Sequence, residues 1–251
     1  MTTYEEAAGL NGAVDMGAVY GKRYMVGDFY AKAADEYDFL AMRDEIFALF
    51  NGPEPFYIAE SREPGKRWLV RTEGRYSLDR QRTYGFFQVN FVSASPFSES
   101  IGLTTDPATF THLDLPVSSF NYTSIQSGDF RVYNAGTKID PRNPNTTLRI
   151  IYKGSSESLR LYNHATGDYW RYDGRSNDDD TITIDGVRSL KNGLSIVRNT
   201  NLGVITLAPG WNRIVAEGVP TPVRQAVQAQ LPRPKTNLMN PFRFEFKYNF
   251  I

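Results

Sequence analysis

Residues able to do acid–base or nucleophilic chemistry are few in this sequence. The chain of 251 residues holds two histidines, His112 and His164, and no cysteine. A Ser-His-Asp triad would need one of these imidazoles, and no G-x-S-x-G turn accompanies either. Zero cysteine excludes disulfide scaffolds, thiolate zinc sites and cysteine nucleophiles. Asp178-Asp179-Asp180 offers carboxylate oxygens to a hard cation, but the run is contiguous. It lacks the alternate spacing, the glycine and the distal Glu of a calcium loop, so it reads as a solvated loop before a strand. Gly21-Lys22 and Gly65-Lys66 are each followed by Arg, which breaks the phosphate-loop pattern, and no G-x-G-x-x-G occurs. Glycosidase-type carboxylate pairs are available, as in any chain rich in acids, but nothing singles one out. The residues therefore point to no catalytic centre, no cofactor and no metal. Trp170, Tyr172 and Trp211 offer another chemistry. Aromatic faces stack on sugar rings, and the same side chains also fill β cores.

Charge is the next feature that can do work. Lys+Arg and Asp+Glu are equal at 28 each. Neutrality argues against gripping a phosphate backbone, so no specific nucleic-acid binding is expected. It also leaves nothing to repel like copies. The balance is uneven along the chain. Residues 1–128 hold 11 basic and 17 acidic residues, and residues 129–251 hold 17 and 11. Within the first part, 1–61 is acidic. Arg62, Lys66, Arg67, Arg71, Arg75, Arg80 and Arg82 then crowd into 62–82, and no Lys or Arg lies between Thr83 and Phe130. Such blocks suit surfaces that complement one another between copies, though clustering on solvated faces produces the same pattern.

These side chains must be positioned by a mainly β chain. Tyr24–Lys32 reads as a strand. Asp35 is a good N-cap, with Glu36 and Asp38 in the first turn. Phe39, Met42, Ile46, Leu49 and Phe50 recur at helical spacing, and Asn51-Gly52-Pro53 stops the helix. Pro55–Ala59 reads as a short strand. Arg67–Leu78 and Thr83–Ser95 read as a hairpin joined by Asp79–Arg82, with Phe87, Val89 and Phe91 alternating against Gln88 and Asn90. Residues 96–128 are rich in Ser and Thr and read as a connection, with room for an edge strand. Beyond them come short candidate strands: Phe130–Asn134, Thr147–Lys153, Ser158–His164, Tyr169–Tyr172, Thr181–Asp185, Gly203–Leu207 and Trp211–Glu217. Glycine turns punctuate them, as in a β-sandwich. Residues 219–241 are proline-rich, and Thr221-Pro222 can open a short helix carrying Val223, Val227 and Leu231. Phe242, Phe244, Phe246, Tyr248 and Phe250 then alternate with polar residues, placing five aromatics on one sheet face. The expected domains are 1–128, including the 96–128 connection, and 129–251. No window approaches eighteen apolar residues, so no membrane span is expected. Met1–Gly9, with Glu5 and Glu6, lacks the features of a signal peptide.

Two stretches carry a family resemblance. One runs from Arg23 to Ser95 and includes the helix, Glu54-Pro55-Phe56-Tyr57-Ile58 and Pro64-Gly65-Lys66-Arg67. The other includes Phe130–Thr137, Leu148–Tyr152, Leu161-Tyr162-Asn163, Asp180–Asp185 and Leu207–Asn212. Their order and spacing resemble the distal tail proteins of siphophages. The resemblance implies a β-rich N-terminal ring domain with one helix at about 35–50, and a C-terminal galectin-like β-sandwich. It further implies a non-enzymatic hub, a hexameric ring, contacted by a tail tube protein, a tail-tip protein and a receptor-binding protein. Such a part belongs at the virion tail tip after synthesis in the host bacterial cytoplasm, which suits the missing cysteines. Family members carry more chain before the segment matching Asn11–Asp15, so a first ring strand is expected to be absent or supplied by a neighbour. The sugar-binding set of true galectins is not recognisable, and 219–241 is longer than expected, an arm suited to docking a partner. For the subunit contact the charge blocks nominate Asp35, Glu36, Asp38, Asp44 and Glu45 against Arg62, Lys66, Arg67 and Arg71. The alternative function is a carbohydrate-binding sandwich that recognises host cell-wall glycan through Trp170, Tyr172 or Trp211.

Overall fold

The computed structural model describes residues 2–6, 9, 11–116, 120–126, 128–220 and 241–251. The helix expected after Thr221 lies outside the described residues. The chain forms two compact units. One comprises 1–61, 67–98 and Ile251, and the other comprises 62–66 and 99–250.

The first unit begins with β1 (Thr2–Glu6) and β2 (Ala13–Ala18), an antiparallel pair that forms a two-stranded sheet of its own. A strand therefore does precede the Asn11–Asp15 segment. Next come β3 (Arg23–Lys32), α1 (Glu36–Phe50), β4 (Phe56–Ile58), β5 (Lys66–Glu73), β6 (Asp79–Gln81) and β7 (Tyr84–Ser93). β3 pairs with β7 along its whole length, from Arg23 opposite Ser93 to Lys32 opposite Tyr84. β7 also pairs with β5 and β6, and β5 pairs with β4. Asp79–Gln81, expected as a connection, is itself a strand. Arg82 takes the tight turn with φ 57°, so β6 folds directly back onto β7.

α1 forms where its signals place it. The Asp35 carboxylate accepts from the Tyr37 and Asp38 amides at 2.9 and 2.8 Å, satisfying two orphan donors of the first turn. Phe39 and Phe50 are buried, and Met42 and Ile46 pack against the core of Ala31, Val70, Phe87, Val89 and Phe91. That core holds few fully buried side chains.

The second unit holds β8 (Ser98–Ser100), α2 (Pro107–His112), β9 (Ile125–Gln126), β10 (Asp129–Asn134), β11 (Leu148–Lys153), β12 (Ser156–Glu157), β13 (Arg160–Asn163) and β14 (Asp168–Arg171). They are followed by β15 (Arg175–Ser176), β16 (Thr181–Asp185), β17 (Arg188–Lys191), β18 (Leu194–Ser195), β19 (Gly210–Glu217), β20 (Pro241–Phe246) and β21 (Asn249–Phe250). One antiparallel sheet runs β18-β17-β16-β11-β20-β9, and a second runs β10-β19-β13-β14. Side chains from both enter one core, in which Trp170, Ile150, Ile182, Ile214, Phe242, Phe244, Phe246 and Tyr248 are essentially inaccessible.

The structure departs from the expectation in further places. The 96–128 connection joins the second unit from Glu99 onward, because Phe110, Tyr122 and Ile125 are buried in its core. It also contains a second helix, α2, capped by Asp106 with Pro107 at its first position. Six residues are too few to show a periodicity. Gly203–Leu207 is not a strand. Ile205, Thr206 and Leu207 are all buried, and of these only Leu207 makes a bridge, to Ile139. Side chains replace the missing ladder. Asn163 Nδ2 donates to the Thr206 carbonyl at 2.7 Å, and the Asp168 carboxylate accepts from the Thr206 amide at 2.8 Å. The Asn212 amide exchanges hydrogen bonds with Ala208 at 2.8 Å each way. Buried backbone groups need partners, and these side chains supply them.

Candidate functional site

The charged residues nominated for a subunit contact are largely engaged within the chain. Asp35 caps α1, and the Asp38 carboxylate accepts from the Ala34 amide at 2.8 Å. Asp44 is held by Arg43 at 2.8 Å. Glu36 and Glu45 lie on exposed α1 positions near these acids. Lys66 pairs with Glu63 at 2.7 Å and also lies 4.9 Å from the Phe250 ring. The Arg67 guanidinium stacks 3.8 Å over the Tyr57 ring, and the Arg71 guanidinium donates to the Pro53 carbonyl. Arg62 and Lys66 belong to the second unit, whereas Arg67, Arg71 and α1 belong to the first. The basic block is thus divided between the two units.

What the sequence reading overlooks is apolar. On β3, Met25, Gly27, Phe29 and Ala31 face the core, and Tyr24, Val26 and Tyr30 occupy the other face. Register places Tyr24 beside Val92 and Tyr30 beside Phe86, so exposed apolar side chains stand on both strands at each end of the pair. Tyr30 and Phe86 remain more than half exposed yet pack ring on ring at 5.1 Å. Leu69 and Tyr57, paired between β5 and β4, add to the exposed apolar set. Asp28 and Gln88, hydrogen-bonded at 2.8 Å, and Asn90 interrupt this face, so the exposed apolar side chains form patches on either side of a polar pair, and exposed apolar patches suit an interaction surface. The signal was present in the sequence. Apolar residues on both faces of β3 are the pattern of a strand buried on both sides.

Beside this sheet lies an open groove of about 510 Å³ between β3 and β4, closed at one end by the last turn of α1. Phe29, Phe50 and Phe91 line it, with Leu49 and Tyr57 at its rim. Gly27 keeps it open, because a Cβ there would come within 2.8 Å of the Phe29 ring.

The nominated glycan contacts separate sharply. Trp170 is 0% exposed, and its indole N–H donates to Ser189 Oγ at 3.0 Å. Tyr172 is also buried. Neither ring has a face to offer a sugar, which corrects that part of the expectation; a strand inside a two-sheet core turns such rings inward. Trp211 is 51% exposed and packs against Tyr133 and Phe120 at ring distances of 5.1 and 5.8 Å. His164 stacks edge-on against Tyr162 at 4.5 Å, and His112 ends α2.

The aspartate run is a clasp. Asp180 accepts from the Asn177 amide at 2.7 Å, from Lys191 Nζ at 2.9 Å and from Asn192 Nδ2 at 2.7 Å. These donors, the backbone amide first, hold its carboxyl at about 2, well below the usual carboxylate range. Among the described residues no group of three or more His, Cys, Asp or Glu could hold a metal ion. The Tyr122 and Tyr248 hydroxyls meet at 2.8 Å in the second core, where burial pushes Tyr248 up to about 12 and Tyr122 higher still. This is a structural hydrogen bond rather than an acid–base pair poised near neutrality.

Comparison with known proteins agrees with this picture. Residues 1–93 match the phage tail protein RIFT-related domain family. No curated protein matches the sequence. The crystal structure of the SPP1 Dit (gp 19.1) protein, described as a paradigm of hub adsorption apparatus in Gram-positive infecting phages, shares the fold with a TM-score of 0.68 at 15% identity. That likeness covers 100% of this chain and 88% of the other. Both likenesses, of residues 1–93 to a phage tail protein family and of the whole fold to the SPP1 Dit protein, are to phage tail proteins.

Proposed function

We propose that this protein is a structural component of a phage tail tip, a distal tail hub without catalytic activity. Copies of the first unit join into a closed ring, with six as the expected number. The second unit serves as a galectin-like β-sandwich carried on that ring. The observation that carries the reading is the exposed apolar face of the β3–β7 sheet, within the stretch that matches a phage tail domain. Burying a large apolar side chain contributes roughly 1.5–3 kcal/mol, so Tyr24, Val26, Tyr30, Leu69 and Phe86 favour assembly strongly. A ring needs a heterologous contact, in which one surface of a copy meets a different surface of the next. The partners in this reading are further copies, a tail tube protein on one side, a tail-tip protein on the other and a receptor-binding protein outside. The place of action is the virion tail tip, reached after synthesis in the host cytoplasm. The division into a ring domain through residue 128 and a sandwich from 129 is refined in this reading to a boundary near Ser98, where the compact units divide. The charged nominees of the first unit, Asp35, Glu36, Asp38, Asp44, Glu45, Arg67 and Arg71, become a rim around an apolar contact, weakened as salt screens them, and Arg62 and Lys66 are candidate contacts of the second unit. Negative-stain electron microscopy of the purified chain tests this. Six-fold rings with a central opening are expected, and a field of single particles without rings contradicts it.

A second reading has one observation in its favour. Trp211 presents half its surface to solvent on a rigid aromatic base of Tyr133 and Phe120. This suits stacking on a cell-wall sugar, and Trp211→Ala abolishing binding to host wall polysaccharide would support it.

A further inference from the structure

The β1–β2 hairpin is a ribbon without a core. Every residue of it whose side chain is described is exposed, including Tyr4, Val14 and Met16. Its strands pair only with each other among the described residues. A lone two-stranded hairpin is marginal in water, so this ribbon needs a surface to lie on. The first unit also has a site that lacks an occupant. Among the described residues β3 pairs on one side only, with β7. Its free edge is ten residues long, contains no proline, and has lysine only at its last position. Natural sheets blunt or cover such edges. The free edge borders the 510 Å³ apolar groove floored by Phe29, Phe50 and Phe91.

We propose that the β1–β2 hairpin of a second copy adds along the free edge of β3 and closes this groove. The inference rests on the ring reading and names one contact of the ring, in addition to the exposed outer face of the same sheet. β-Strand addition supplies main-chain hydrogen bonds, and alternate side chains enter pockets. Val14 and Met16, two residues apart on β2, share a face and suit an aromatic floor. Charge is complementary as well. Residues 2–20 carry Glu5, Glu6 and Asp15 and no base. The receiving strand carries a base at each end, Arg23 and Lys32, with Asp28 between them, so acidic residues of the hairpin meet a base at either end of the edge. Because hairpin and groove are different surfaces of one chain, each copy gives one and receives one, and the contact propagates until a ring closes.

The cysteine-free chain permits a direct test. Met16→Cys and Leu49→Cys are combined in the full chain, since both positions are more than half exposed and neither change removes core packing. Unlabelled and ¹⁵N-labelled protein are mixed and oxidised, and mass is followed by light scattering. The expected result is a disulfide between the two substituted positions joining labelled to unlabelled chains, in a ladder extending beyond dimer. Each single variant gives dimer at most. An oligomer by scattering in which this link is absent, or forms only within one chain, overturns the inference and leaves the ring reading standing. A monomer at every concentration overturns both. Leu49→Lys provides a check without cysteine. A cation at a helix C-terminus does not harm the fold, and loss of the apolar contact is expected to weaken self-association about tenfold. Unchanged association would contradict the proposal, leaving a different tail component as the occupant of the groove.

Discussion

The two units solve the problem of burial differently. In the second, two sheets close on one core, and the largest side chains, from Trp170 to Phe246, reach essentially zero exposure. In the first, six residues form the buried centre, while Tyr24, Val26, Tyr30 and Phe86 stay exposed on the opposite face of the same sheet. One unit is finished within a single chain. The other keeps a face, an edge and a groove for something outside it. In the proposed reading as a tail hub, both are needed: a body that is stable alone and a surface that is not.

Substitutions can break this contrast, and the largest effect belongs to the closed unit. Phe244 is fully buried against Phe130. Phe244→Ala is expected to cost about 3–5 kcal/mol of stability and to lower Tm by roughly 10 °C, read by calorimetry, at any protein concentration. The open unit should respond the other way round. Tyr30→Ser with Phe86→Ser removes a pair of rings in contact yet exposed. The isolated chain should change by no more than about 1 kcal/mol, while self-association in sedimentation falls at least tenfold. Loss of fold instead of loss of association would mean the outer face is part of the monomer's own stability.

Smaller effects sharpen the comparison. Asp35 serves as a helix cap, so Asp35→Ala should cost about 1 kcal/mol and Asp35→Asn almost nothing; equal loss of association in both, at unchanged stability, would return Asp35 to the interface. The smallest effect is the Asp180 clasp. Its carboxyl is held below its unfolded value, so its contribution is complete above about pH 4 and fades as pH falls toward 2. Asp180→Asn should flatten that acid limb of the second unit's melting profile, and an unchanged limb would show that the clasp contributes nothing.

Much of this fold was legible in the sequence because each element wrote its own local signal. Asp35 capped the helix as its type required, and the alternating aromatics of 242–248 turned into the core together. The failures also have local causes. Gly203–Leu207 is rich in β-branched residues as a strand is, but Asn163, Asp168 and Asn212 supply hydrogen bonds to the backbone of Thr206 and Ala208 in place of a neighbouring strand. Trp170 and Trp211 look alike in sequence. Only strand register decides that one is sealed and the other half exposed. The charge blocks were visible, but not that Asp35, Asp38 and Arg71 are engaged by nearby backbone groups. The apolar face of β3 was visible too, and its meaning depended on knowing which face the chain leaves open.

The claim at the centre of this account is that the first unit is completed by further copies of the same chain. Light scattering across a concentration series at moderate salt measures it directly. A discrete assembly near six times 28.4 kDa is predicted. A mass that stays at 28.4 kDa through the highest soluble concentration would contradict it.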